Sequence, residues 1–409
     1  MHVLVAGCIH GKLSLLYETV EYYERNNSVS VDLVLCCGDF QAVRNWQDLS
    51  CVCCPPKYRE LNDFYRYYRG DCIAPKLTVF VGGNHEASNY LQELPLGGWV
   101  APNIYYMGVA GVIKVGNLRI GGIGGIFKEQ DFHKEHFEKP PYTDSLLHSI
   151  YHVREVDIYR LSLLHQKLDI FLSHDWPEGI VEYGNKELLL KRKPFFRKDL
   201  EQGRLGNLVT KQLLFLLQPK YWFSAHMHCY FEATVKMDDE RSVCDFYALD
   251  KCLPHRPFYK VIEFPEVVAD DELEIRMDGE WMQILIETAF LRQSPWNLMQ
   301  PESWYKLKDM QKNRKSDEYP DLKLNAFFPT GKALSVEEEK MNRQRRNVEP
   351  PTCLFLNPQT QYISDQLDVA ITAPIFCNCA SRVVDSSSKN SVELRRDPNE
   401  IQLSEDDAF

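Results

Sequence analysis

Residues 77–86 read LTVFVGGNHE. Leu77–Val81 is an apolar run of strand length, and it opens directly onto two glycines, an amide, an imidazole and a carboxylate. Ligands in open α/β sheets bind beyond the carboxyl ends of strands, so a strand that delivers polar, ligand-capable side chains through glycine reads as one part of such a site. The same unit recurs along the chain. His2–Ala6 runs into Gly7-Cys8-Ile9-His10-Gly11, and Val31–Cys37 into Gly38-Asp39. Asp169–Leu172 delivers His174-Asp175, and Tyr221–Ser224 delivers His226-Met227-His228. Five such strands predict five loops converging on one centre.

Working outward, Lys12–Arg25 has Leu13, Leu16, Val20 and Tyr23 at helical spacing. Val109–Val115 and Leu118–Ile123 alternate and carry glycines, as a hairpin does, and Phe231–Val235, Cys244–Leu249 and Phe258–Phe264 read as antiparallel strands. The fold class is therefore α/β, with mixed sheets in layers flanked by helices, over residues 1–264. A long polar insertion from Phe127 to about Arg154, rich in His and aromatics, interrupts it. Loops of that length are usually functional or disordered. A smaller C-terminal domain is expected over 265–345, with a strand at Glu272–Arg276 and a helix capped by Asp278 that bears Trp281, Leu285, Thr288 and Leu291. Residues 346–409 have weak periodicity and an acidic end, and are expected to be mostly disordered.

Composition narrows the functional classes. The 409 residues carry 47 Lys+Arg against 58 Asp+Glu, a net charge of −11, which argues against a non-specific polyanion binder. No apolar run of about 18 residues is present, so no transmembrane helix and no membrane partner are expected. The start of the chain lacks the charged lead-in of a signal peptide. Thirteen scattered cysteines, several inside apolar runs, read as free thiols of a reducing compartment. Cys51, Cys53 and Cys54 have no second pair at zinc-finger spacing.

The strand-end residues supply one thiol (Cys8), four imidazoles (His10, His174, His226, His228), one carboxylate (Asp39) and one amide oxygen (Asn84), with His85 to spare. Two divalent ions sharing a bridging Asp would use all seven ligands and stabilise an in-line displacement at phosphorus. In this order, Gly38-Asp39, the GNHE of 83–86, His174 and His226-x-His228 resemble the metallophosphoesterase superfamily. That superfamily usually opens on Asp-x-His, and here Cys8 replaces the acid. The Cys-x-His opening is similar to that of the RNA lariat debranching enzymes, as are CCGDFQAVRN (36–45), GGNHEASNYLQELP (82–95), FLSHDWP (171–177) and YWFSAHMH (221–228). The resemblance is close over roughly 1–264, weaker to about 340, and absent beyond.

It implies hydrolysis of the 2′–5′ phosphodiester at the branch point of intron lariats, with branched RNA as partner. It assigns Cys8, His10, Asp39 and His228 to one metal position, and Asp39, Asn84, His174 and His226 to the other, holding one or two ions of iron(II), zinc or manganese. His85 is implied as the general acid near the leaving 2′ oxygen. The insertion 127–154 matches the family's lariat recognition loop, with Phe127, Lys128, His136, Phe137, Pro141, Tyr142, Tyr151 and His152 as candidate substrate contacts. Cys8 itself reads two ways. As an inert thiol it weakens the first position, and as a ligand it favours a softer ion.

Two stretches interleave basic and aromatic residues, Lys57 through Arg69 and Lys191 through Lys198, as single-stranded RNA binding requires. For the first, an amphipathic helix with its rings in the core competes equally. Another phosphoesterase on the same fold, acting on phosphoprotein or nucleotides, is the alternative enzyme, and a decayed scaffold the non-enzymatic one. The Cys8 opening and the insertion argue against the former, and the retained ligands against the latter. Work on introns implies a nuclear location, with the cytoplasm as a second, and Lys340 through Arg346 is a short basic cluster.

Overall fold

The computed structural model describes residues 1–237, 243–267, 273–292, 320–324, 326–340 and 348–369. In chain order its strands are β1 (His2–Ala6), β2 (Leu33–Cys36), β3 (Leu77–Phe80), β4 (Gly98–Ala101), β5 (Ile104–Tyr106), β6 (Ala110–Val115), β7 (Leu118–Ile123) and β8 (Ile170–Ser173). They continue with β9 (Tyr221–Ser224), β10 (Phe231–Lys236), β11 (Val243–Ala248), β12 (Tyr259–Glu263), β13 (Ile275–Met277) and β14 (Leu322–Lys323). One sheet has the order β12-β1-β2-β3-β5-β4 and the other β10-β11-β9-β8-β7-β6-β13-β14.

Pairing along β1-β2-β3-β5 is parallel, as it is along β7-β8-β9-β11, with antiparallel strands at the flanks of both sheets. Strands covered on both faces read as near-continuous apolar runs, which is why LVLC and IFLS lack alternation. Alternate residues still part company. Val3, Val5, Leu33, Leu35 and Val79 pack with Ile120, Ile170, Leu172 and Trp222 between the sheets, whereas Leu4, Ala6, Val34 and Phe80 lie under the outer helices. The helix Leu13–Asn27 buries Leu13, Leu16, Tyr17 and Val20 there, and ends on Ser28 in the left-handed conformation.

The C-terminal segments are built into this framework. Strand β13 pairs with β6 and extends the second sheet. Asp278 caps the helix Gly279–Glu287 by accepting from the Trp281 N–H at 3.0 Å, as its sequence predicts. Within the stretch read as a disordered tail, residues 348–369 are ordered. The helix Pro358–Leu367 buries Ile363 and Leu367, and Gln359 bonds both the N–H and the carbonyl of Trp99 in β4. Its anchors are largely polar, so hydropathy gave no sign of it. Residues 346–347 and 370–409, the Lys340–Arg346 cluster beyond Lys340, and Glu272 lie outside the described residues.

The Lys57–Arg69 stretch is corrected in favour of the core. The rings of Phe64, Tyr65, Tyr67 and Tyr68 are buried on the helix Phe64–Arg69, and Arg69 pairs with Asp71 and Glu339, so these four rings are not presented to a base. In Lys191–Lys198 the cations Lys191, Arg192, Arg197 and Lys198 are exposed while Phe196 is fully buried. That stretch offers charge, with Phe196 kept for packing.

A buried ion cluster joins the C-terminal helix to the hairpin. Arg119 donates from Nε and Nη2 to the two Asp278 oxygens, at 2.8 Å each, and from Nη2 to Glu280 at 2.6 Å. Burial alone would raise the Asp278 carboxyl, but the Arg119 bonds and charge outweigh it and hold the group below its ordinary range. We expect Arg119→Ala to cost about 3–5 kcal/mol in urea unfolding, because two buried carboxylates lose their cation. Since the native pKa of Asp278 is depressed, its stabilisation is complete above about pH 4 and is lost as pH falls through the native value. The variant should therefore show a flatter acid limb of stability.

Candidate metal centre

The five predicted loops meet. Each follows a parallel strand whose carboxyl end points the same way, with β1, β2 and β3 from one sheet and β8 and β9 from the other. Cys8, His10, Asp39 and His228 are all buried, and their ligand atoms lie within 4.8 Å of one another. The Nε2 atoms of His10 and His228 face each other at 3.3 Å, and His10 Nε2 lies 3.9 Å from Asp39 Oδ2. On the other side of Asp39, His174 Nε2 lies 3.4 Å from Oδ1 and 2.9 Å from Asn84 Oδ1. The His174 and His226 ring centroids are 5.0 Å apart. Asp39 thus lies between two clusters of donors, Cys8, His10 and His228 on one side and Asn84, His174 and His226 on the other.

The backbone is bent to achieve this. His10 (φ 49°), Asp39 (46°), His226 (61°) and His228 (45°) all occupy the left-handed region, which non-glycine residues rarely adopt. Close approach requires glycine twice. A Cβ on Gly38 would sit 2.3 Å from His174 Nδ1, and one on Gly83 would sit 2.2 Å from Asp39 Oδ1. Glu86 ties the loops together, accepting from the N–H groups of Phe40 and Gln41 at 2.8 Å and of Gly83 at 3.0 Å.

His174 Nδ1 donates to the Cys37 carbonyl at 2.8 Å, which leaves Nε2 free of its proton and aimed at Asp39 and Asn84. Gln41 Nε2 donates to His10 Nδ1 at 3.3 Å and fixes the plane of that ring. His85 stands beside the first cluster, its ring centroid 5.8 Å from that of His10. Its N–H donates to Asp39 Oδ1 at 2.8 Å, and its Nδ1 donates to the Cys53 carbonyl at 2.9 Å. Sequence reasoning missed Glu86, Gln41 and the Cys37 and Cys53 carbonyls. Glu86 and Gln41 lie within the quoted motifs, but backbone carbonyls carry no sequence signal.

Electrostatically the centre suits a cation. Burial pushes the His10 and His226 imidazoles down to about 3, so both are neutral bases at physiological pH. Burial would raise Asp39, yet the imidazoles of His174, His85 and His10 hold it ionised, well below its ordinary range. Its Oδ2 is buried without a hydrogen-bond partner. Burial, aided by Asp39, pushes the Cys8 thiol far up, and Cys8 Sγ accepts from the His226 N–H at 3.3 Å. Such a thiol ionises only against an adjacent cation. An orphaned buried carboxylate oxygen, facing imidazole nitrogens and a sulfur together fit a divalent metal, and the sulfur fits a softer one.

The insertion is ordered and lies against the centre. Arg154 is buried and binds Glu138, the Asp131 carbonyl at 3.0 Å and the Ser149 carbonyl at 3.1 Å. His152 Nδ1 bonds Asp131 at 2.6 Å, and Ser149 bonds Glu138 at 2.6 Å. His152 and Tyr142 are buried in this frame and brace it. Phe137, His136 and Pro141 are exposed on its surface, and Phe127, Lys128 and Tyr151 are half-buried. The Lys128 charge reaches both His226 and Asp175. Tyr151 Oη lies 3.7 Å from Cys53 Sγ, and a cavity of about 210 Å³ separates the insertion from the Gly82-Gly83 turn.

The profile of the calcineurin-like phosphoesterases matches residues 1–230, and that of the lariat debranching enzyme C-terminal domain matches 241–371. Over 293 residues the chain is 55% identical to the lariat debranching enzyme of Mus musculus, covering 70% of this chain and 53% of that one. It is 47% identical to the Homo sapiens enzyme over 378 residues (90% of this chain, 69% of that one) and 46% identical to the Gallus gallus enzyme over 371 (88% and 68%). The chain thus spans about half to two thirds of these relatives.

For the centre itself, Cys8→Ser should weaken zinc or iron(II) binding at the first position by at least about tenfold, the lower end of what even outer contacts to a metal ligand cost. Anaerobic metal titration reads this, and equal affinity and stoichiometry in the variant would show that the thiol is not a ligand.

Proposed function

The chain belongs to the lariat debranching enzyme family of calcineurin-like phosphoesterases, and from that premise we propose that it hydrolyses the 2′–5′ phosphodiester at the branch point of excised intron lariats. The products are a linear RNA with a 5′ phosphate on the released end and a free 2′ hydroxyl on the branch nucleotide. The observation that carries this reading is the pairing of a cysteine-containing centre with the ordered insertion 127–154 placed directly against it. A compact phosphate site needs neither.

Cys8, His10, Asp39 and His228 would hold one metal ion, and Asp39, Asn84, His174 and His226 a second. Iron(II) or zinc suits the thiol better than manganese does. When bound, such ions supply Lewis-acid stabilisation of charge on the phosphoryl oxygens. The remaining work falls to side chains of the protein. Because His85 Nδ1 donates to the Cys53 carbonyl, only Nε2 is available to hand a proton to the leaving 2′ oxygen. On the insertion, Phe137 and Tyr151 offer faces to unstacked bases, and Lys128 and His136 offer polar contacts to phosphate or sugar. Pro141 and Phe127 shape the surface between them, while Tyr142 and His152 hold it rigid. The exposed cations of 191–198 support RNA contact beyond the branch. Intron lariats are made in the nucleus, so the nucleus is the proposed location, with the cytoplasm as a second.

The test uses full-length protein kept free of oxygen, with iron(II), zinc or manganese added in turn, on a short branched RNA and its linear 3′–5′ counterpart. Selective cutting of the branch, abolished by chelator and restored by one ion, is the expected result. Folded protein that cuts neither RNA with any ion would overturn the proposal. His85→Ala should retain metal and RNA binding while losing about 10²–10⁴ in turnover, and unchanged turnover would remove His85 from the mechanism.

A further inference from the structure

The segment 326–340 lies far along the chain from the metal centre, yet its contacts gather on Arg44-Asn45 and on the helix Phe64–Arg69. Thr330 Oγ1 accepts from Arg44 Nη1 at 3.1 Å and bonds Glu93, and the Lys332 carbonyl accepts from Asn45 Nδ2 at 2.7 Å. The Leu334 N–H donates to the Arg44 carbonyl at 3.1 Å, and Leu334 is buried in the outer core. Tyr68 closes the clasp, its hydroxyl donating to the Gly331 carbonyl at 2.7 Å and accepting from the Thr330 N–H at 3.0 Å. Gly331 is obligatory here, since a Cβ would meet the Arg44 guanidinium at 2.7 Å.

Arg44 and Asn45 introduce the short helix Trp46–Ser50. Asn45 caps it by accepting from the Asp48 N–H at 2.9 Å, and Arg44 holds Asp48 from Nε at 2.7 Å and Nη2 at 3.0 Å. Arg44 also pairs with Glu93 at 3.0 Å and lies 3.8 Å over the Tyr90 ring. From this helix two routes lead to His85. One follows the chain through the turn at Cys51 to Cys53, whose carbonyl takes the His85 Nδ1 proton. The other crosses from Asp48 Oδ1 to Asn89 Nδ2 at 2.7 Å, on the helix Ser88–Leu91 that follows His85 in the chain. His85 is therefore held on its ring side and on its backbone side by one small helix, and that helix is clasped by the C-terminal segment.

We propose that the segment around Thr330 is a positioning device for the reaction: through Arg44 and the helix Trp46–Ser50 it fixes where His85 Nε2 points. The inference rests on His85 delivering the proton, as assigned above. Thr330 touches neither substrate nor metal ligand. It acts by denying the Cys53 carbonyl and the Asn89 anchor any freedom to drift, and small displacements of a reacting group are expensive in rate. The arrangement makes the C-terminal segment part of the catalytic geometry, although it contributes no group to the centre.

Thr330→Val keeps the side-chain shape and removes the hydroxyl that bonds both Arg44 and Glu93. In the full-length, metal-loaded protein, kcat on branched RNA should fall roughly tenfold or more, with KM and metal content unchanged, and Thr330→Ser should restore it. A double-mutant cycle with His85→Ala decides whether the effect travels through His85. Thr330→Val should slow the wild type but add nothing to His85→Ala. A folded Thr330→Val protein of unchanged kcat would overturn the inference, as would an equal further loss in the His85→Ala background. Asn45→Ser retains the helix cap and loses the donor to Lys332, so it repeats the test should Thr330→Val fold poorly, with the same outcomes for and against. If His85→Ala alone left turnover intact, the assignment of His85 would fail separately from the clasp.

Discussion

The structure is organised around one buried carboxylate that has been denied half of its hydrogen bonds. Asp39 Oδ1 is fixed by the His85 N–H, while Oδ2, although out of solvent, has no hydrogen-bond partner among the described residues. An ionised group in that position is costly unless a cation answers it. Around it the backbone accepts the left-handed conformation at four ligand-bearing residues, and glycine wherever a side chain would collide. Glu86 binds three loop N–H groups to hold those conformations. The two sheets, facing each other across a shared apolar core, bring loops from both sides to the same carboxylate. These are the marks of a site whose protein part is finished before its cation arrives.

The convergence of five strand-end loops was legible from residue order alone, for a physical reason. Parallel strands are short, apolar and bounded by glycine, and the residues that follow them are chemically distinctive. Strands β1 and β9 fall where the sequence puts them, and β2, β3 and β8 within a residue or two at either end. What escaped reading depends on long-range pairing or on atoms common to every residue. The rings of Phe64–Tyr68 carry the same pattern whether they serve RNA or the core, and neighbours distant in sequence, among them Tyr17, Phe40, Tyr90 and Phe327, decide it for the core. The short strands β4 and β5 flank a turn at Pro102-Asn103 and lack a periodic signature. The helix Pro358–Leu367 is held as much by Gln359 and Thr360 as by its apolar residues. The carbonyls of Cys37 and Cys53, which set the tautomers of two histidines, are invisible to any reading of side chains.

The insertion shows a similar division of labour. Its buried salt link and histidine–carboxylate pair form a rigid base, and its exposed Phe137 and His136 form the working face. The family resemblance gives Phe137, His136, Tyr142 and His152 alike as candidate RNA contacts, but a recognition loop must first hold its own shape. Tyr142 and His152 meet that need.

The pairing of β1 with β12 has a consequence for how the molecule comes into being. His2 through Ala6 lie opposite Glu263 through Tyr259, so β1 acquires one of its two neighbours only once β12 has been synthesised. Contacts of such sequence separation fold slowly, and a half-built sheet presents an open edge to other chains. While β12 is missing, the backbone of β1 is paired on the β2 side alone, and the metal-binding loop that follows β1 hangs from an unfinished edge. Leu249 and Asp250, whose carbonyls pack against Gly7, arrive at nearly the same moment. The nascent protein therefore cannot complete its first ligand loop early. Assembly of the centre is a late event in biosynthesis, coupled to emergence of the strands that precede residue 264.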